Sequence, residues 1–170
     1  MKKLVVIAEA EEIKLVKELN YEVTEGAPIL ITGVGALNVI DALKDIPRDT
    51  AIINIGYAGS KNLEPGKFYA IDRSGLYHPN VNYTEPMYDL PTVPFVGKNT
   101  RLDFVKCLTG TDFVLQSDVD DCVFDMELAY IKTLGFENVI AFKYVSINLD
   151  LEEHRKTVTH NLGKELGVEE

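Results

Sequence analysis

The sequence has 170 residues, 46% of them apolar, and a net charge of −10; a chain of this size buries roughly two thirds of the surface it exposes when unfolded, so it can fold without a disulfide or a structural metal. The acidic balance argues against nucleic acid as a partner, because phosphate-backbone binders need a basic face. The wide separation of Cys107 and Cys122, and the scatter of His78, His154 and His160, offer no zinc pattern and suit a reducing cytoplasm.

In chain order, Lys3–Ala8 reads as a buried strand rich in Val and Ile, and this apolar run is too short for a membrane span or a secretory signal. Glu9–Asn20 carries Ile13, Val16 and Leu19 at helical spacing. Pro28–Thr32 is a second strand, closed by Gly33-Val34-Gly35. Ala36–Ile46 is helical, with Leu37, Ile40 and Leu43 on one face and Pro47 as its stop. Thr50–Ile55 is a third strand, with Gly56-Tyr57-Ala58-Gly59 expected as a turn at its end. This β-α-β-α-β order predicts parallel strands with covering helices. Lys67–Ile71 is a further strand after Pro65-Gly66. Residues 72–98, with Pro79, Pro86, Pro91 and Pro94 among Tyr77, Tyr83 and Tyr88, read as a long irregular excursion. Strands are then expected at Phe113–Gln116, Cys122–Met126 and Val139–Ile147, with a helix at Glu127–Leu134 stopped by Gly135. A last helix starts near Asp150, with Leu151, Val158, Leu162 and Leu166 in one stripe. Residues 1–170 are expected to form one domain, a three-layer α/β/α sandwich with a mostly parallel or mixed central sheet.

Two strand ends carry paired glycines. Ligands of open α/β sheets sit outside the carboxyl ends of the strands, and glycine lets the backbone approach them closely. One glycine pair alone makes only a tight turn, whereas two pairs at equivalent ends predict a pocket floor. A dinucleotide fingerprint fails on spacing, since Asn38 stands where a third glycine is needed, and no P-loop Gly-Lys-Ser/Thr occurs.

The chain resembles the nucleoside phosphorylases and the related methylthioadenosine/adenosylhomocysteine nucleosidases. The resemblance is carried by Val5-Val6-Ile7-Ala8-Glu9-Ala10-Glu11-Glu12, Thr32-Gly33-Val34-Gly35-Ala36-Leu37-Asn38, Ile53-Asn54-Ile55-Gly56-Tyr57-Ala58-Gly59-Ser60 and Phe124-Asp125-Met126-Glu127-Leu128-Ala129. Tyr144-Val145-Ser146-Ile147-Asn148 stands in the place of the family's Arg-x-Ile-Ser-Asp strand end. The resemblance implies cleavage of an N-ribosidic bond through an oxocarbenium-like transition state, which needs a carboxylate at the ribose, a group on the base and a positioned nucleophile.

It further implies that Glu127 accepts hydrogen bonds from the ribose hydroxyls, with Met126 packed on the sugar. Glu12 would be the general base for the attacking water, although Glu9 and Glu11 in the same run leave the member open. Asn148 would bind the purine. Gly33, Gly35, Gly56, Tyr57, Ala58 and Gly59 would shape the pocket. Without the family, Glu127 is also a first-turn acid favoured by the helix dipole, Glu12 a surface acid and Asn148 a polar strand end. Phosphorylases of the family hold phosphate with an arginine where this chain has Asn54, which favours hydrolysis over phosphorolysis. The chain is shorter than usual for the family. Asn148 replaces an aspartate that donates a proton to adenine, and Tyr57 replaces a small residue, with a phenol expected to crowd the water or phosphate site. The expected ligand is a nucleoside, with phosphate as a second candidate. No cofactor, metal, nucleic acid or membrane is expected as a partner, and a homodimer or larger homo-oligomer in the cytoplasm is. A catalytically inactive nucleoside-binding relative is the rival reading.

Overall fold

The computed structural model describes residues 2–78, 87–91, 96, 100–112, 114 and 117–147. Its strands are β1 (Lys3–Ile7), β2 (Ile29–Ile31), β3 (Ala51–Gly59), β4 (Phe68–Leu76), β5 (Met87–Asp89), β6 (Phe104–Thr109), β7 (Cys122–Asp125) and β8 (Val139–Ile147). Its helices are α1 (Ile13–Leu19), α2 (Ala36–Leu43) and α3 (Leu128–Thr133).

The first third follows its sequence pattern: β1 lies between β2 and β3, parallel to both. Val5, Val6 and Ile7 are all buried, as both faces of a covered parallel strand should be. Val5 and Ile7 pack with Leu15, Val16 and Leu19 of α1. Val6 packs on the other side with Val39 and Leu43 of α2 and with Leu128 and Ile131 of α3. Helices therefore cover both faces of a mixed sheet.

The three-layer sandwich expected from the pattern holds as a mixed α/β fold with a central sheet, and is corrected in one respect, because the middle of the sheet closes on itself. β3 pairs with β8, β8 with β4, β4 with β6, β6 with β7, and β7 returns to β3 through Gly59 and Phe124. Closure is possible because β3, β4 and β8 are each nine residues long. Along one edge β3 pairs first with β1, over Ala51–Asn54, and only at Gly59 with β7.

Two other expectations are corrected. Gly56–Gly59 is not a turn: it continues β3, with Gly56, Tyr57 and Ala58 in register with Lys143, Tyr144 and Val145 of β8. β4 runs on to Leu76 and pairs with β5 inside the stretch expected to be irregular. β6 was not foreseen, and the strand expected at 113–116 falls largely outside the described residues, as do Asn148 and the last helix. Among the described residues no helix is long and apolar enough to cross a membrane.

Candidate active site

The first carboxylate comes from the turn after β1. A 3-10 turn over Ala10–Glu12 precedes α1 and brings the Glu12 side chain back over the strand end. There Oε1 accepts the backbone N–H of Ala8 at 2.8 Å and of Glu9 at 3.0 Å. Oε2 accepts the N–H of Tyr57, on β3, at 2.7 Å. Three backbone donors, two of them buried and that of Glu9 partly so, thus fix one carboxylate. The helix expected over Glu9–Asn20 begins only at Ile13, and Glu12 is buried rather than on a solvated helix face. Burial pushes its carboxyl above the usual glutamate value, against the pull of Lys143 and the three amides.

Gly56 makes room for that carboxylate. A Cβ at this position would lie 2.6 Å from Glu12 Oε2 and 3.5 Å from Lys143 Nζ. The glycine is needed here for close approach, inside a regular strand. The next residue, Tyr57, gives its amide to Glu12, while its ring sits edge-on to Tyr144 with centroids 5.9 Å apart, among Ile53, Ile55 and Phe142. The ring therefore packs in the core cluster that contains Phe142, while Tyr57 also contributes to the cavity lining.

The second carboxylate, Glu127, precedes α3 and is 8% exposed, so it is not the solvated first-turn acid the helix pattern allowed. Its Oε2 accepts the N–H of Gly35 at 3.1 Å. Gly35 stands immediately before α2 with φ of 90°, a conformation natural to glycine, and this aims its amide at the carboxylate. Burial, then the neighbouring Asp125 charge, pushes the Glu127 carboxyl up to about 8. Glu9, at the rim, is pushed up to about 7 by partial burial and by Glu11 and Glu12.

Beneath these lies a buried ion pair. Lys143 Nζ is 2.9 Å from Asp125 Oδ2, and both residues are almost wholly inaccessible. Burial raises the Asp125 carboxyl, but the Lys143 charge and the donors around it outweigh this and hold it below the usual aspartate range. Burial favours neutral Lys143, yet the surrounding anions, Asp125 foremost, keep the ammonium protonated.

These groups surround a cavity of about 310 Å³. Ala8, Glu9 and Glu12 line it from the β1 turn, Tyr57, Ala58 and Gly59 from β3, and Phe124, Asp125, Met126 and Glu127 from the β7–α3 junction. Val34, Asp112 and Val114 complete the described lining, which contains no Lys, Arg or His. Of the residues picked out from sequence, Glu12, Tyr57, Ala58, Gly59, Met126 and Glu127 meet here. Gly33, Gly35 and Gly56 stand behind the wall, where Gly35 and Gly56 hold or accommodate the carboxylates. Asn148 lies outside the described residues. Sequence reasoning missed Asp125 as part of the charge cluster, Lys143, Asp112 and Val114. The signal for Lys143 was a lone cation inside an apolar strand, one residue before the segment matched to the family's arginine strand end.

No family model matches the sequence, and no curated protein does. Solved structures do match. The nucleosidase MTAN of Chlamydia trachomatis superposes with a TM-score of 0.70 at 19% identity, over 98% of this chain and 95% of that one. The 5′-methylthioadenosine/S-adenosylhomocysteine nucleosidase of Neisseria meningitidis, solved with methylthio-immucillin-A, gives 0.66 at 17% identity over 98% and 97%. That of Colwellia psychrerythraea, solved with adenine, gives 0.69 at 15% identity over 98% and 95%. Likeness at these identities establishes the fold.

Proposed function

We propose that the chain is a purine nucleosidase-like hydrolase, a cytoplasmic enzyme of one domain that cleaves the N-ribosidic bond of a nucleoside to free base and sugar. The observation that carries this reading is the pair of buried carboxylates at one cavity, Glu12 fixed by three backbone amides and Glu127 by one. Glu12 is built as a general base: it is immobile, faces the cavity, and its raised affinity for a proton suits it to take one from water. Glu127 takes the ribose hydroxyls, whose donors would favour its ionised form on binding. Met126 packs on the sugar. Asn148 holds the base, as the resemblance implies. The fold is that of nucleosidases whose solved structures contain adenine or methylthioadenosine, which supports a purine nucleoside as ligand.

Hydrolysis is favoured over phosphorolysis by the electrostatics. The described lining is acidic, without a cationic side chain, and the Gly35 amide at the start of α2 is already taken by Glu127. A phosphate dianion would meet carboxylates where it needs donors. The homodimer expected for such a protein would use the exposed apolar side chains of Ile29, Ile31, Val34 and Leu37, on β2 and at the start of α2. Val34 is common to this patch and to the cavity lining.

The test is chromatography of free base after incubating the protein with purine nucleosides, with and without phosphate. Release without phosphate is expected. Release only with phosphate would make the protein a phosphorylase. No release from folded protein that still binds nucleosides would make it a non-catalytic binding relative.

A further inference from the structure

The first turn of α3 is held by more than its own capping requires. Asp125 Oδ2 accepts the Leu128 N–H at 2.8 Å, which satisfies one of the amides exposed at the start of any helix. Thr109, at the end of β6 and in register with Asp125, adds a second hold. Its hydroxyl donates to Asp125 Oδ1 while accepting the Ala129 N–H at 3.0 Å. Both amides that follow Glu127 are therefore tied to one Thr–Asp pair, itself anchored on Lys143. Thr109 is 1% exposed and is not part of the described cavity lining.

The direction of Glu127 depends on this hold. Its backbone, at φ −131° and ψ −44°, is outside helical geometry, but its carbonyl accepts the N–H groups of Tyr130 and Ile131, so Glu127 moves with the first turn of α3. Among the described residues the carboxylate takes one hydrogen bond, from the Gly35 amide. A small rotation of the first turn of α3 would break that 3.1 Å bond and move the carboxylate.

We propose that Thr109 is a positioning residue for Glu127: together with Asp125 it pins the first turn of α3 so that the Glu127 carboxylate stands at the ribose position. The ribose part of this statement rests on the hydrolase reading; the positioning part does not. A group held to a fraction of an ångström by buried hydrogen bonds loses function when those bonds go, even though the lost partner never touches substrate.

The test uses the full chain with Thr109→Val, which keeps the side-chain shape but removes the hydroxyl, and Thr109→Ser, which restores it. NMR titration of carbon-labelled glutamate side chains reads Glu127 directly and needs no turnover. Asp125, Lys143 and Glu12 are the charged groups facing that carboxyl, and none is altered. In the wild type the Glu127 midpoint is expected at about 8. Thr109→Val should lower it toward the ordinary glutamate range as the carboxyl swings to solvent, cut kcat/KM for base release about tenfold, and be rescued on both readouts by Thr109→Ser. If Thr109→Val does not fold, Thr109→Ala, which admits a water, is titrated in its place. A variant that melts earlier but keeps the Glu127 midpoint and kcat/KM would overturn the proposal. A wild type without turnover would sink the hydrolase reading and leave the titration to decide this one.

Discussion

Gly56→Ala should be far more harmful than a glycine-to-alanine change in a strand has any general reason to be. By backbone entropy alone, alanine would be favoured by about 0.5–1 kcal/mol. Here its Cβ would stand 2.6 Å from Glu12 Oε2, and the carboxylate cannot step aside without leaving the amides of Ala8, Glu9 and Tyr57. The Tyr57 bond, at 2.7 Å to the clashing oxygen itself, goes first. Losing a buried charged hydrogen bond costs roughly 1.5–3 kcal/mol. With residual strain the loss should total about 2–4 kcal/mol, which at this chain length lowers Tm by roughly 5–15 °C. Base release should fall with it, because the same oxygen is displaced. Calorimetry of wild type, Gly56→Ala, Glu12→Ala and the double variant tests the cause. In the Glu12→Ala background the clash is gone, so adding Gly56→Ala should be neutral or stabilising by up to about 1 kcal/mol. The coupling between the two sites should then be at least about 2 kcal/mol. A Gly56→Ala protein with unchanged Tm, or a penalty that persists without Glu12, would refute the argument.

Other predictions follow from the charge cluster. Because the Glu127 carboxyl is raised to about 8 in the folded chain, the folded state holds a proton that the unfolded state releases near the ordinary glutamate value. Its contribution is fully present below that ordinary value and is lost as pH rises through about 8. Glu127→Gln should therefore flatten the fall of Tm between pH 5 and 8; an unchanged slope counts against the assignment. The same variant should abolish or sharply reduce base release while remaining folded at neutral pH. Lys143→Met would leave Asp125 buried with no cation beside it and should cost about 3–5 kcal/mol by urea denaturation. Lys143→Arg, which keeps the charge, should cost clearly less, and equal costs would mean that packing rather than charge is at stake.

The parts of the fold legible in the sequence are those in which one local signal suffices. β1, β2 and β8 are largely apolar runs rich in Ile, Val or Leu, and α2 announces itself by helical spacing and a glycine start. β6 escaped because Lys106 interrupts a short apolar run that follows closely on the Pro-rich stretch read as irregular. Gly56 was read as punctuation, since glycines near a strand end usually mark a turn. Its reason is a side chain forty-four positions earlier, Glu12, which no local window contains. Tyr57 was judged by bulk, whereas strand alternation sends its ring away from the Gly56 face, into the core cluster that contains Phe142. Glu12 and Glu127 were identified through motif resemblance. The pair beneath them, Lys143 and Asp125, was not, because a lysine in a strand reads as a surface residue until its partner strand is known.

The closed ring of strands has a single thin seam, where Gly59 meets Phe124 with one register pair, helped by the Ser60 hydroxyl donating to the Cys122 carbonyl at 2.7 Å. The cavity straddles that seam: Gly59 lines one lip, and Phe124 with Glu127 lines the other. A molecule seated there touches both lips at once and acts as a clasp across the least secured joint of the ring. Occupancy would then slow the breathing of the whole circle of strands, so a bound molecule should raise the hydrogen-exchange protection of amides on both sides of the seam.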